Sequence, residues 1–338
     1  MAERIRTLTG HLVRHTGKKS PDVQNVSGNL SPAVQSSFRY TLENPLKTLT
    51  KNQRNFYEEN GYLVIKYLVP VSALQSYRKR FAEICNGECT VPGLTVMKDV
   101  ALAKSSPIQG EKAVVKIQDF QYDDALFQYC CLPQIIRYVE NFTGPNIMAM
   151  HTMLINKPPD LGKKTSRHPV HQDLHYFPFR PADRIVCSWT AMEKVHRQNG
   201  CLVVVPGSHQ GDLKPHSYPK WEGGVNKMYH GITNFDPTLP MVHLEMDPGD
   251  TVFFHPLLIH GSGTNRTDSF RKAISCHYAS TDCHFIDIAG TSQENLAEEV
   301  IDLAVKRTGL PREDIQFKDI WTLKSRCVKG EQNHLQGY

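Results

Sequence analysis

Apolar residues between positions 96 and 279 occur in short runs that are separated by proline and glycine. Runs of this length with many β-branched residues are typical of strands. The predicted strands span residues 114–120, 147–155, 185–192, 201–205, 251–254 and 272–278. Because helical patterns lie before and after this part, we expect a mainly β fold with flanking helices. Its core is predicted to be a double-stranded β-helix, that is, a cupin-like jelly roll.

Three helices are predicted from their end signals. Serine or threonine followed three residues later by Gln or Glu is the capping-box pattern of a helix start. A glycine directly after a helical pattern is a common stop. These signals predict helices that open at Thr50, Ser72 and Thr291 and end near Gly61, Cys85 and Gly309.

Residues 1–38 differ from the rest of the chain and are predicted to be a targeting leader followed by a linker. A basic amphipathic stretch is succeeded by residues 17–37, which are rich in Gly, Ser, Pro and Asn. Arg4-Ile5 and His11-Leu12, five residues apart, match the N-terminal peroxisomal signal and would share one face of a helix. Taken alone, the leader leaves peroxisome and mitochondrion open. Residues 39–338 are predicted to form a single catalytic domain.

Composition excludes several classes of protein. With 40% apolar and 22% charged residues, the 338-residue chain is neither wholly disordered nor fibrous. The net charge of +5 is spread along the chain, so we expect no nucleic-acid partner. No apolar run approaches the roughly 18 residues of a membrane span. Nine cysteines without a CxxC pair indicate free thiols in a reducing compartment.

The spacing of two histidines and one aspartate indicates a metal site. In a strand, residues i and i+2 share a face, so His171 and Asp173 would lie side by side. His260 is the candidate third ligand. It lies 87 residues after Asp173, which is enough for several strands of a jelly roll to bring it back beside the first two ligands. Two His and one carboxylate leave coordination positions open and are typical of non-haem Fe(II) oxygenases.

An arginine follows the third candidate ligand. Arg271 lies eleven residues after His260, across a stretch dense in turn formers. A hairpin there would place the two residues roughly opposite each other. Because a guanidinium can bind a carboxylate through two parallel hydrogen bonds, the pattern indicates a 2-oxoglutarate oxygenase.

Other histidines compete for the metal site, namely His168, His175, His243, His255 and His277. His243 and Glu245 repeat the HxD-type spacing, but only 17 residues separate His243 from His260, which is room for about two strands. His168 is predicted to face the opposite side of the strand. His175 is predicted to share the face of His171, beside the ligands or facing substrate. His255 and His277 are expected to be packed or hydrogen-bonded.

Four segments resemble the phytanoyl-CoA dioxygenase family: HPVHQDLHYFPFRP, NGCLVVVPGSH, GDTVFFHPLLIHGSG and FRKAISCHYAS. The resemblance extends from about residue 40 to residue 321. It implies that His171, Asp173 and His260 bind iron and that Arg271 binds the 5-carboxylate of 2-oxoglutarate. It also places four residues around that co-substrate: Lys116, Met153, Trp189 and Ser262. For Met153 and Trp189, ordinary core packing stays an alternative.

The resemblance further implies the reaction. Fe(II), 2-oxoglutarate and O2, with ascorbate as an expected cofactor, would hydroxylate C2 of a 3-methyl-branched acyl-CoA such as phytanoyl-CoA. The products would be 2-hydroxyacyl-CoA, succinate and CO2, within peroxisomal fatty acid α-oxidation. Because Asp173 is present, hydroxylation is favoured over halogenation. The implied partners are a peroxisomal import receptor and a lipid carrier protein.

Two groups of residues are hypotheses for substrate binding. The aromatic residues Tyr176, Phe177 and Phe179 would line an acyl channel or pack in the core, and the cations Lys214, Lys220 and Lys227 would bind the phosphates of CoA. Two other classes of protein stay open at this point: a non-catalytic acyl-CoA or lipid carrier, and a barrel with structural zinc.

Overall fold

The structure is a computed structural model of the chain. It describes residues 38–43, 47–98, 109–160, 162, 164–222, 224–331 and 334–335. The predicted leader, with the targeting motif from Arg4 to Leu12, lies outside these residues. Among the described residues, no helix combines the length and the apolar character needed to cross a bilayer.

Six α-helices and sixteen strands are found in the described part of the chain. The helices are α1 (Lys51–Asn60), α2 (Val71–Cys85), α3 (Asp124–Cys131), α4 (Pro133–Thr143), α5 (Glu294–Thr308) and α6 (Phe317–Lys324). The first eight strands are β1 (Tyr62–Ile65), β2 (Thr95–Met97), β3 (Lys116–Gln118), β4 (Ile147–Lys157), β5 (His168–His171), β6 (Phe179–Arg180), β7 (Ile185–Ala191) and β8 (Leu202–Val204). The others are β9 (His216–Ser217), β10 (Gly231–Ile232), β11 (Val242–Leu244), β12 (Thr251–Phe254), β13 (His260–Ser262), β14 (Arg271–Ser280), β15 (His284–Phe285) and β16 (Arg326–Lys329).

Two antiparallel sheets form the centre of the molecule. The larger sheet has the order β1-β12-β7-β14-β4-β3-β2, and β16 also pairs with β4. The smaller sheet has the order β11-β8-β13-β5. Two short pairs, β9 with β10 and β6 with β15, lie outside them. The prediction of a mainly β, jelly-roll fold with flanking helices is confirmed.

Helices α2, α3 and α4 cover one face of the larger sheet. Phe81, Phe142 and Phe253 are buried together in this layer, with exposed fractions of 1% or less. A second apolar cluster, with Val204 and Val252 among its members, lies between strands of the two sheets. Apolar packing therefore fixes the larger sheet from outside and leaves its other face to meet the smaller sheet.

All three predicted helices are present, as α1, α2 and α5, but two of them start differently from the prediction. Helix α1 has the predicted capping box, and Gly61 ends it with φ 77°. Helix α2 begins at Val71 after Pro70, without a side-chain cap, so the predicted Ser72 cap is wrong. Thr291 lies in the turn before α5, whose cap position is Gln293. Helices α3, α4 and α6 were not predicted.

The capping box of α1 allows a direct stability test. The Thr50 hydroxyl accepts the Gln53 backbone N–H at 3.2 Å, and the Gln53 side chain accepts the Thr50 N–H at 2.9 Å. Thr50→Ala should lower the free energy of unfolding by about 1 kcal/mol. Ser72→Ala removes no cap, so it should change the free energy of unfolding by no more than a few tenths of the Thr50→Ala effect. Equal losses in equilibrium denaturation would contradict the assignment of the caps.

Candidate metal centre

Strand pairing brings the three candidate ligands together. His171, at the end of β5, lies directly opposite His260, at the start of β13. Their ring centroids are 4.2 Å apart. The Asp173 Oδ1 atom lies 3.2 Å from His171 Nε2 and 3.8 Å from His260 Nε2. All three side chains are buried, and their ligand atoms lie within 4.8 Å of one another, so the group can hold one metal ion.

Backbone carbonyls orient both imidazoles. His171 Nδ1 lies 2.9 Å from the Pro169 carbonyl oxygen, and His260 Nδ1 lies 3.0 Å from that of Leu258. A carbonyl only accepts hydrogen bonds, so each Nδ1 carries a proton and Nε2 is the nitrogen that a metal would bind. Metal-binding histidines are typically fixed in this way.

The two Nε2 nitrogens fit a bound cation. His171 Nε2 lies 3.2 Å from the carboxylate oxygen of Asp173, which only accepts hydrogen bonds. This contact is favourable only when a cation or a second proton lies between the atoms. Burial lowers the pKa of His260 to about 4, so its ring is neutral near pH 7. The donor set therefore fits Fe(II), which binds neutral imidazole and carboxylate.

Asp173 supplies the negative charge of the group. Burial alone would raise the pKa of its carboxyl, but its surroundings in the histidine cluster, among them the hydrogen bond from His277, hold that pKa well below its usual range. His277 Nε2 donates to the second oxygen, Oδ2, at 2.7 Å. Asp173 also lies within 4.8 Å of ligand atoms of Cys187 and His277, which form a second buried group of metal-binding side chains.

The prediction that His171, Asp173 and His175 share one strand face is only partly right. Strand β5 ends at His171, and the extended backbone of Gln172 keeps His171 and Asp173 on one side. Asp173 then opens a 3₁₀ turn, Asp173–Tyr176, which directs His175 elsewhere. The His175 ring stacks on His216 and lies in hydrogen-bond contact with His230, outside the cavity described below.

The prediction that His168 faces away from the site is wrong. His171 pairs with His260 on β13, and His168 pairs with Ser262. The two histidines are three positions apart on β5, whereas their partners on β13 are two positions apart. The extra residue is a β-bulge, and it turns both histidines to the same side. Their ring centroids lie 4.3 Å apart.

Gln172, between two of the candidate ligands, fixes their backbone. Its N–H donates to His216 Nε2 at 2.9 Å, and its side-chain oxygen accepts the Lys214 N–H at 2.8 Å. Its amide nitrogen donates to the Leu257 carbonyl at 2.9 Å. The segment that contains His171 and Asp173 is thus tied to two loops, and no sequence pattern indicated these contacts.

Arg271 is a buried cation with donors left over. It is 2% exposed, and its Nη2 donates to the Gly200 carbonyl at 2.9 Å. Its Nε and Nη1 are buried without a hydrogen-bond partner. Burial lowers its pKa to about 10, so the guanidinium keeps its charge at neutral pH. Unpaired buried donors on a cation are costly, and a carboxylate ligand would satisfy them.

His260 and Arg271 are not partners in a hairpin, which corrects the expectation from their spacing. Strand β13 belongs to the smaller sheet and β14 to the larger one, so residues 263–270 pass between the sheets. The two side chains reach the same cavity from different sheets. Turn formers alone do not distinguish a hairpin from such a crossing.

One cavity of about 90 Å³ lies between the sheets. All eight candidate site residues line it: Lys116, Met153, His171, Asp173, Trp189, His260, Ser262 and Arg271. Burial lowers the pKa of Lys116 to about 8, although Asp119 opposes this. Trp189 and Met153 flank Ser275 across neighbouring strands. The sequence did not indicate Asn226 and Tyr229, which line the same cavity from the loop 211–231.

Other candidates lie elsewhere. His243 is exposed on β11, with Cys201 Sγ 3.6 Å from its Nδ1, and it does not line this cavity.

Phe177 and Phe179 stack in the core with centroids 5.2 Å apart, so they pack rather than line the cavity. The Tyr176 hydroxyl donates to the Met228 carbonyl. Lys214, Lys220 and Lys227 are exposed, and His255 packs beside Asp183.

The fold and this site define the class of non-haem iron, 2-oxoglutarate-dependent enzymes. Solved structures show the same fold. The epimerase SnoN, in complex with Fe3+, alpha ketoglutarate and nogalamycin RO, has a TM-score of 0.55 at 19% identity and covers 73% of this chain and 88% of its own. EctD from S. alaskensis has a TM-score of 0.56 at 14% identity, with coverages of 72% and 81%.

Sequence comparison defines the family within this class. The profile of the phytanoyl-CoA dioxygenase (PhyH) family matches residues 57–273. The peroxisomal phytanoyl-CoA dioxygenase of Rattus norvegicus is 61% identical over 98% of both chains. That of Homo sapiens is 59% identical over 99% of this chain and 98% of its own. The chain belongs to the phytanoyl-CoA dioxygenase family.

Gly200 supports Arg271 and tolerates no side chain. Its φ is +76°, and a Cβ there would lie 2.6 Å from the Gly263 carbonyl oxygen and 2.9 Å from the Lys157 side chain. Gly309 has a similar φ of +68° with open space around it. Gly200→Ala should therefore lower the melting temperature well beyond Gly309→Ala, which costs only backbone strain of about 1–2 kcal/mol. Equal melting temperatures would contradict the tight packing.

Proposed function

We propose that the protein is an Fe(II)- and 2-oxoglutarate-dependent oxygenase that hydroxylates C2 of 3-methyl-branched acyl-CoA thioesters such as phytanoyl-CoA. The products are the 2-hydroxyacyl-CoA, succinate and CO2. One observation supports this proposal most strongly. A buried group of two histidines and one aspartate shares its cavity with a buried arginine that has unsatisfied donors. The relatives named above carry the name of the same reaction class.

His171, Asp173 and His260 would hold the iron. Their Nε2, Oδ1 and Nε2 atoms converge, and both imidazoles are fixed by backbone carbonyls before any metal binds. When bound, the iron with 2-oxoglutarate and O2 supplies the oxidant that converts a C–H bond to a hydroxyl. Because Asp173 fills the third protein position, hydroxylation rather than halogenation is proposed.

Arg271 binds the far carboxylate of 2-oxoglutarate in this proposal. The unpartnered Nε and Nη1 leave free donors on a buried cation, and the oxygens of a carboxylate can accept them. Lys116 and Ser262 add a cation and a hydroxyl to the cavity wall, and Met153 and Trp189 add apolar surface. An anion beside Lys116 would favour its charged form, which burial disfavours.

Apolar side chains exclude water from the rest of the cavity. Val115, Ile155, Leu202 and Phe254 line it beside the polar groups. In such surroundings charge–charge interactions are stronger than in water, so the arginine and the carboxylate hold the co-substrate in one orientation. The protein thus binds, orients and desolvates the reacting molecules.

Between β8 and β11, some described residues line the cavity and others are exposed. Asn226 and Tyr229 line the cavity, whereas Lys214, Lys220 and Lys227 of the same loop are exposed. We keep these three lysines as the proposed contacts of the CoA phosphates, since exposed cations close in sequence to cavity-lining residues would attract them. The acyl channel itself is not assigned to Phe177 or Phe179, which are buried in the core.

The peroxisome is the proposed location, in agreement with the names of the relatives. The motif Arg4-Ile5 to His11-Leu12 is the proposed signal for an import receptor. Delivery of substrate by a lipid carrier and a requirement for ascorbate also remain predictions.

The function is tested by the decarboxylation of labelled 2-oxoglutarate with a panel of branched and straight-chain acyl-CoAs. Release of CO2 should match formation of 2-hydroxyacyl-CoA, with turnover highest for 3-methyl-branched chains. Asp173→Ala should abolish turnover and leave the fold largely intact, because the carboxylate belongs to an open metal site rather than to the apolar core. Hydroxylation that persists in Asp173→Ala would show that the ligand assignment is wrong.

The role of Arg271 is tested by Arg271→Gln. Loss of a charge-assisted pair worth about 1.5–3 kcal/mol should raise the KM for 2-oxoglutarate roughly 10- to 100-fold, with the Fe(II) requirement little changed. Arg266→Gln is the matched control, since Arg266 is exposed and lies outside the cavity. A native KM in Arg271→Gln would point to another partner for the carboxylate.

A further inference from the structure

The two oxygens of the Asp173 carboxylate have different neighbours. Oδ1 faces Nε2 of His171 at 3.2 Å and Nε2 of His260 at 3.8 Å. Oδ2 accepts a hydrogen bond from Nε2 of His277 at 2.7 Å. The oxygen beside the two histidine nitrogens is therefore distinct from the oxygen that His277 holds.

His277 is held in place for this contact. It lies on β14, is 2% exposed, and its ring stacks on that of His151 with centroids 5.8 Å apart. The ring edges of Phe177 and Phe254 pack near it. Aromatic neighbours on several sides leave the imidazole little freedom to turn away from Asp173.

The hydrogen-bond partners determine which nitrogen of His277 carries the proton. An ionised carboxylate only accepts, so Nε2 carries the hydrogen of this bond. Nδ1 is buried and has no hydrogen-bond partner. Burying an unsatisfied polar nitrogen is unfavourable. The ring is thus placed where it satisfies Asp173 and leaves its own second nitrogen unsatisfied.

The binding mode of a carboxylate decides how many positions on a metal stay open. Carboxylates bind metals through one oxygen or through both. Two histidines and one singly bound carboxylate leave open positions for co-substrate and O2. A second oxygen from Asp173 would close one of them. A hydrogen bond from His277 holds Oδ2 towards the imidazole and so disfavours binding through both oxygens.

We infer that His277 is a positioning residue. Its hydrogen bond holds Oδ2 of Asp173 away from the metal, so that only Oδ1 binds the metal and a coordination position stays open for 2-oxoglutarate. This inference rests on the proposed function. His277 lines the same cavity, and in this account it acts through its hydrogen bond to Asp173. The rival possibility is that His277 is itself a ligand, together with Asp173 and Cys187.

The test measures binding of 2-oxoglutarate to the Co(II)-loaded protein through the visible absorption of the metal, without turnover. In His277→Asn the shorter amide does not reach Oδ2, and the dissociation constant for 2-oxoglutarate should rise roughly 10- to 100-fold. In His277→Gln the amide N–H lies near the position of Nε2, and the constant should return to within a few-fold of native. Both variants should still bind Co(II).

His151→Asn is the matched control. His151 is the cross-strand partner of His277, stacks on it, and also has a buried nitrogen without a partner, but it makes no hydrogen bond to Asp173. Its 2-oxoglutarate affinity should equal that of the native protein. Native affinity in His277→Asn, or equal losses in His277→Asn and His151→Asn, would overturn the inference. Melting temperatures of the metal-free variants separate loss of folding from loss of binding.

Two further variants distinguish failure of this inference from failure of the proposed function. If Co(II) binding survives in His171→Ala but is lost in both Cys187→Ser and His277→Asn, the metal lies at the rival group and the proposed ligand set fails. If His171→Ala abolishes Co(II) binding and Cys187→Ser does not, the metal site stands. The comparison of His277→Asn with His277→Gln then decides the role of His277 alone.

Discussion

The pairing of β5 with β13 is the constraint on which the site depends. Antiparallel pairing places His171 and His260 directly across from each other, although 89 positions separate them along the chain. One extended residue then places Asp173 beside both rings. The ligand group is therefore a product of sheet register, and a shift of one residue in β5 would turn His171 to the other face.

Burial determines the chemistry of the cavity. It leaves Arg271 charged with two unsatisfied donors, keeps His260 neutral, and surrounds the Asp173 carboxylate with imidazoles. A carboxylate ligand would satisfy the free donors of Arg271, and a metal ion would bind the histidine nitrogens and the Asp173 carboxylate. The same arrangement argues against a non-catalytic carrier, because binding an apolar acyl chain requires neither the ligand group nor a buried cation.

Sequence reasoning identified the residues with a local signal. His171 and Asp173 follow from their spacing, His260 and Arg271 from their flanking apolar and turn residues, and the central strands from their apolar runs. Residues that depend on pairing between distant segments were placed wrongly or missed. The bulge that turns His168 inward and the crossing between β13 and β14 are properties of two sheets. The hydrogen bonds of Gln172 join loops with no common sequence signal. Lys116, Met153, Trp189 and Ser262 came from family resemblance, and all four line the cavity.

The central claim is that three side chains bind one ferrous ion with Arg271 holding the co-substrate beside it. Anomalous diffraction at the iron edge, from crystals grown without oxygen in Fe(II) and 2-oxoglutarate, tests it most directly. The account predicts a single iron peak among His171, Asp173 and His260, with a carboxylate of 2-oxoglutarate on the Arg271 guanidinium. A peak between Asp173, Cys187 and His277, or a co-substrate bound away from Arg271, would contradict it.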